Sequence, residues 1–252
     1  DGVWIENDPA INADSIKAAL DDIGWSGWLF VERSRDVADV KNVKRNFGAN
    51  VRYLKKVFAP QIVPLKADGL DKEYIESILS RSQKAVDAID LKTASDCQSV
   101  RNIIANRYFE LNSIYATRDS LKKDKATKEQ AETICAGMLY KTHEGFLSSL
   151  AMYLTPEQVT TVKDVMTYNS VKVQCDALFD MIPTLTDEEM QQVRVWYEEA
   201  REYAIDAESS KKKHEWFGKY KGRINNYLTS HGYDLVKERE AWYRRIEARK
   251  AK

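Results

Sequence analysis

Three cysteines, three histidines, five prolines and ten glycines among 252 residues leave little material for several kinds of chemistry. Cys97, Cys135 and Cys175 are odd in number and far apart, without the short Cys or His spacings that build zinc sites, and they read as small core hydrophobes. His143, His214 and His231 are too scattered to gather round a metal by local spacing, although His143 with Glu144 falls mid-helix, where a carboxylate could meet it in space. There is no Gly-rich phosphate loop, no Gly-x-Ser-x-Gly elbow and no Cys–His nucleophile arrangement, so ordinary nucleotide and serine-hydrolase chemistry has no support. An excess of one charge is missing too: Lys plus Arg and Asp plus Glu both number 39, leaving no positive field to favour nucleic acid or anionic lipid. No apolar run approaches the roughly 20 residues that span a bilayer.

What is present is a composition that folds. Hydrophobic residues make up 43% and charged residues 31%, with a mean hydropathy of -0.54, enough for one large or two small globular domains. From Ile16 to Phe58 the order is amphipathic helix, Gly24, the apolar run Trp28 to Val31 ending on Glu32, and a second helix, which is a piece of an α/β fold. Pro60, Pro64 and Gly69 then interrupt all periodicity, marking a boundary between residues 1–59 and 66–252.

Beyond it the patterns are helical throughout. Asp71 to Ile89 is the first helix. In the next, Val100, Ile103, Ile104, Tyr108, Leu111 and Ile114 form one apolar stripe that needs a partner helix. Ala126 to Leu154 follows. Thr155 and Gln158 form a capping box with Pro156 at the first helical position, and Thr186 with Glu189 repeats the device after Pro183 ends the helix from Val171 to Met181. The helix after Thr186 should bury Met190, Val193, Tyr197, Ala200 and Ala204, and Gly232 separates the last two helices, Lys211 to Leu228 and Leu235 to Arg249. The fold class is therefore mainly α, a multi-helix bundle preceded by a short α/β remnant.

Two resemblances sharpen these expectations. Residues 1–59 resemble the closing segment of xylose-isomerase-like TIM barrels, the sugar phosphate isomerase and epimerase family. The likeness is carried by Ala18-Ala19-Leu20, Ile23 to Leu29, Val31 to Asp36, Asn46, Ala49-Asn50 and Tyr53-Leu54. It implies that Glu32, closing the last strand, is a metal ligand in an intact barrel, and that Asp1-Gly2 is the tail of a His-x-Lys-Asp-Gly run. The chain would then begin inside a longer barrel enzyme, with a divalent metal in that parent and no cofactor in the present chain. Residues 66–233 are similar to a bacterial helical family of unknown function that is associated with sugar binding and with polysaccharide-utilisation proteins of the cell envelope. Tyr153 to Gln158, Lys163-Asp164, Met166-Thr167-Tyr168 and Phe217 to Leu228 carry that likeness. It implies a periplasmic or envelope location and a carbohydrate or envelope-protein partner.

Trp216, Tyr220, Arg223 and Tyr227 fall on one helical face, with Asn226 beside them. Aromatic rings stack on the apolar faces of pyranoses, and Arg and Asn donate to hydroxyls, so this face is the candidate sugar site. The competing expectation is that the rings pack into the bundle, that Arg223 pairs with an acid such as Glu198 or Glu202, and that Gly218 and Gly222 permit a close helix packing. Two functions follow: a non-catalytic carbohydrate-binding helical domain, or the C-terminal part of a metal-dependent sugar isomerase or epimerase.

Overall fold

A computed structural model describes residues 11–23, 50–51, 53–55, 57–58, 62–124 and 127–250. The chain divides into two compact units, Asp1–Pro64 and Leu65–Lys252. In the first, α1 (Ala13–Asp22) starts at Asn12, whose side chain accepts from the Ser15 amide, and residues 50–51, 53–55 and 57–58 are helical. The expected strand Trp28 to Val31, Glu32 and Asp1-Gly2 lie outside the described residues. Among the described residues there is no strand.

The second unit is built of α2 (Lys72–Asp87), α3 (Ala94–Lys123), α4 (Lys128–Ala151), α5 (Pro156–Met166), α6 (Ser170–Met181), α7 (Asp187–Ala204), α8 (Ser210–Ser230) and α9 (Leu235–Lys250). Local chemistry starts most of them. Asp71, Thr93 and Ser209 each accept from an amide of the first turn, and Thr127, Thr155 and Thr186 form complete capping boxes with Gln130, Gln158 and Glu189. The box at Thr127 carries the same signature as the other two. At the end of α5, Tyr168 and Asn169 both adopt left-handed backbone, φ 61° and 53°, and turn the chain into α6. Two consecutive non-glycine residues in that region are held there against steric cost. The Asn169 amide donates to the Asp164 carbonyl at 2.8 Å and the Thr167 hydroxyl to the Lys163 carbonyl at 2.8 Å, which secures the turn.

Short connections make neighbouring helices antiparallel. Arg107 meets Thr142 and Lys122 meets Glu132 along α3 and α4, while Tyr203 meets Trp216 and Trp196 meets Tyr227 along α7 and α8. Helix α3 carries more than the single stripe expected of it. Ile78 of α2 packs with Ala105 and Phe109, while Val100, Ile104, Leu111 and Ile114 are also buried, so α3 is covered by α2 and by α4 on different sides. A second core joins α6, α7 and α8 through Val171, Cys175, Leu178, Val193, Tyr197, Ala200, Phe217, Ile224 and Leu228. Met190 lies at its margin, partly buried. Cys135 and Cys175 are buried and Cys97 is half-buried, all as free thiols. Helix α9 buries no residue fully and is held to α6 largely by polar contacts: Trp242 Nε1 donates to Asp180 at 2.6 Å, and Arg249 pairs with the same carboxylate at 2.7 Å.

One buried charge links the helices around α3 to the helices around α7. The Arg107 side chain, 0% exposed, donates to Asp206 at 2.7 Å, to Glu110 at 2.6 Å and to Thr142 at 2.8 Å, and its guanidinium lies 5.7 Å from the Phe146 ring centroid. Asp206 sits in the connection between α7 and α8, and its backbone carbonyl accepts from the Tyr115 hydroxyl at 2.7 Å. Removing one member of a buried pair leaves the other charge desolvated, which costs about 3–5 kcal/mol. Asp206→Ala should fall at the lower end, about 3 kcal/mol, because Glu110 remains beside Arg107. Thr155→Ala, which removes only a cap, should cost about 1 kcal/mol. Urea unfolding of the two variants against the parent chain checks the ranking.

Candidate functional site

The predicted sugar-binding face lies along the antiparallel pair α7–α8. Trp216 stacks on Tyr203 with ring centroids 4.7 Å apart and planes 18° apart, and Tyr203 lies 6.5 Å from Tyr220. One turn along, Lys219 Nζ sits 4.9 Å from the Trp216 ring centroid. The Arg223 guanidinium lies 4.7 Å from the Trp196 centroid and reaches Glu199 at 3.5 Å. Trp196 meets Tyr227 edge-on at 5.0 Å, and Tyr227 contacts His231 at 4.1 Å. The result is a strip of rings with cations set between them. From Trp216 to Tyr227 it runs about 16 Å at 1.5 Å per helical residue.

Of the residues named from sequence, Trp216, Arg223 and Tyr227 lie along this strip with their surfaces partly or wholly open, and Tyr220 lies beneath it. Burial, with a hydrogen bond to Glu199, holds the Tyr220 hydroxyl protonated well above the usual tyrosine range. Asn226 is exposed and a helical step of 100° away from Tyr227, beside the strip rather than on it. The acid that meets Arg223 is Glu199, not Glu198 or Glu202. Glu202 is held by Lys163 at 2.7 Å and lies 3.4 Å from Arg201. At Gly218 and Gly222 an added Cβ would meet nothing within 4 Å among the described residues, so no described helix makes the close packing expected of them. Sequence reasoning missed Trp196, Glu199 and Tyr203, which contribute the other half of the strip. Their spacing of three and four residues on α7 was the signal available.

His143 also finds the carboxylate anticipated for it. Its Nδ1 lies 2.7 Å from Asp206, so the carboxylate that pairs with Arg107 also orients this imidazole. The hydrogen bond to Asp206 raises the His143 pKa, burial opposes that, and the charges of Asp206, Glu144 and Glu202 add to the increase. Among the described residues, no group of three or more His, Cys, Asp or Glu side chains is placed to hold a metal ion. None of the described helices is long and apolar enough to cross a membrane.

Residues 75–248 match the model of the family described as protein of unknown function (DUF3826). The chain belongs to that family. No curated protein matches it. The matched span begins within α2 and ends within α9, so it contains both the Arg107–Asp206–His143 cluster and the α7–α8 strip.

The raised pKa of His143 makes stability depend on pH. A folded-state pKa above the unfolded value of about 6.5 contributes stability that is complete below that value and is lost as pH rises through the folded pKa. Urea midpoints of the parent chain should therefore decline above about pH 6.5, and His143→Gln should flatten that decline. Parallel curves for the two proteins would count against the imidazolium–carboxylate pair.

Proposed function

We propose that this DUF3826 chain is a non-catalytic carbohydrate-binding module, with the α7–α8 strip as its sugar-contacting surface. The observation that carries this reading is the open aromatic ladder. Tyr203 is 49% exposed beside the stacked Trp216, and Trp196 and Tyr227 are only partly buried. Rings left at a surface in a row supply the apolar platforms on which pyranose faces stack, and Arg223, Glu199, Lys219 and Asn226 supply donors and acceptors for hydroxyls along the edges. Lys219 and Arg223 lie over two of the indole rings, but at an exposed site each such contact is worth only about 0.5–1 kcal/mol, so a sugar can displace them. A strip about 16 Å long suits an oligosaccharide better than a single sugar.

The likeness of residues 66–233 to an envelope-associated helical family supports the same reading and adds its setting, the periplasm or cell envelope, with an envelope protein as a second partner. The alternative reading takes residues 1–59 as the end of a xylose-isomerase-like barrel. In an intact barrel, Glu32 would help to hold a divalent metal, and the parent protein would act on a sugar.

Calorimetric titration of the full chain with soluble glycans tests the site. Tyr203→Ala and Trp216→Ala should each weaken a glycan that binds by about tenfold, the equivalent of losing about 1.4 kcal/mol at an aromatic contact. Undiminished binding in both variants would place the sugar elsewhere.

A further inference from the structure

On another side of α8, two cations converge on one tyrosine without a carboxylate between them. Lys213 is 5% exposed, and its Nζ lies 5.6 Å from the centroid of the Tyr108 ring. The Arg81 guanidinium, from α2, lies 5.6 Å from the same centroid. Neither cation forms an ion pair with an acid among the described residues, whereas Arg107, Arg118 and Arg201 each hold at least one. The Lys213 ammonium donates to the Met166 carbonyl at 2.9 Å, where α5 ends. That single neutral acceptor leaves two of its three donors without a protein partner among the described residues.

The turn after α5 supplies the remaining wall. Tyr168, held in left-handed backbone at φ 61°, stacks on His214 with centroids 5.5 Å apart and is 48% exposed. It is close enough to Tyr108 to add to the rise in the Tyr108 pKa. Burial, offset in part by Arg81, pushes the Tyr108 hydroxyl up to about 12, so it stays protonated and able to donate. Burial, with repulsion from Arg81, lowers Lys213 to about 8, while Asp206 acts in the opposite sense. Two like charges drawn together in a half-dry setting are a cost to the fold unless an anion offsets it.

We propose that Arg81, Tyr108, Tyr168 and Lys213 form a binding site for the oxyanion group of a small ligand, a carboxylate or a phosphate. Arg81 presents the planar fork that engages an oxyanion through two parallel hydrogen bonds, Lys213 supplies the buried point charge, and Tyr108 donates from its hydroxyl. Strain at Tyr168 is consistent with a backbone held to present that side chain at the mouth of the site. This site is separate from the aromatic strip and does not depend on the strip binding sugar.

The test uses the full chain, with inorganic phosphate and glucuronate as probes. Binding is followed by calorimetry, and acetylation of Lys213 by acetic anhydride is read by peptide mass spectrometry. At least one probe should bind saturably and protect Lys213. Protection by phosphate alone would identify a phosphate ligand, and protection by glucuronate alone a uronate. Arg81→Met is the decisive variant, because Arg81 is exposed, whereas Lys213→Met also removes the donor at the end of α5. Arg81→Met should weaken binding by about tenfold or more while Trp216→Ala leaves it unchanged. Failure of both probes to bind saturably, or equal binding by Arg81→Met and the parent chain, would overturn the proposal.

Discussion

The Asp206 carboxylate is the constraint on which the second unit depends. It lies in the connection between α7 and α8, yet it serves Arg107 of α3 with one oxygen and His143 of α4 with the other. A buried guanidinium depends on partners for its donors, and here Asp206, Glu110 and Thr142 meet its two terminal nitrogens, while the buried Nε has no hydrogen-bond partner among the described residues. The three connected segments can therefore adopt few relative positions, because sliding any one of them strands a charge in a low-dielectric interior. Apolar burial supplies most of the driving force, while this cluster selects one arrangement among those that would bury similar area.

Helix α8 inherits its orientation from that selection. Its first turns follow directly from Asp206, and its apolar face, through Phe217, Ile224 and Leu228, seals against α6 and α7. The remaining circumference is then divided. One flank sets Trp216, Arg223 and Tyr227 against Trp196, Glu199 and Tyr203. Near its start, Lys213 turns inward to Tyr108 and Met166, and His214 meets Tyr168. Two chemically different surfaces thus come from one helix: aromatic and open on one flank, cationic and enclosed on the other.

Much of the helical framework was legible because its signals are local. Thr155 with Gln158 and Thr186 with Glu189 are read within four residues, Pro156 occupies a position where its missing amide costs nothing, and Gly232 takes up positive φ at 92° after α8. The apolar positions of α7 were readable from spacing alone, and Val193, Tyr197, Ala200 and Ala204 are buried. The second burial surface of α3 was not, since Ala105 and Phe109 gain their meaning only when α2 lies across them. Half of the candidate strip was named from α8. The half on α7 joins it only through the pairing of two helices, which cannot be read from either alone.

The order of amino acids by itself determined where helices begin and end in residues 66–250 and which faces carry apolar side chains, because hydrogen-bond capping and helical periodicity act over a few residues. Tertiary structure alone decided which charges are buried and with whom. Arg107 and Asp206 are 99 positions apart, and Lys213 reaches a carbonyl 47 positions away. In sequence, Arg107 and Lys213 look like ordinary surface charges. Burial changes what they are, since removing water makes each charge depend on the few polar atoms that the folded chain brings within about 3 Å of it.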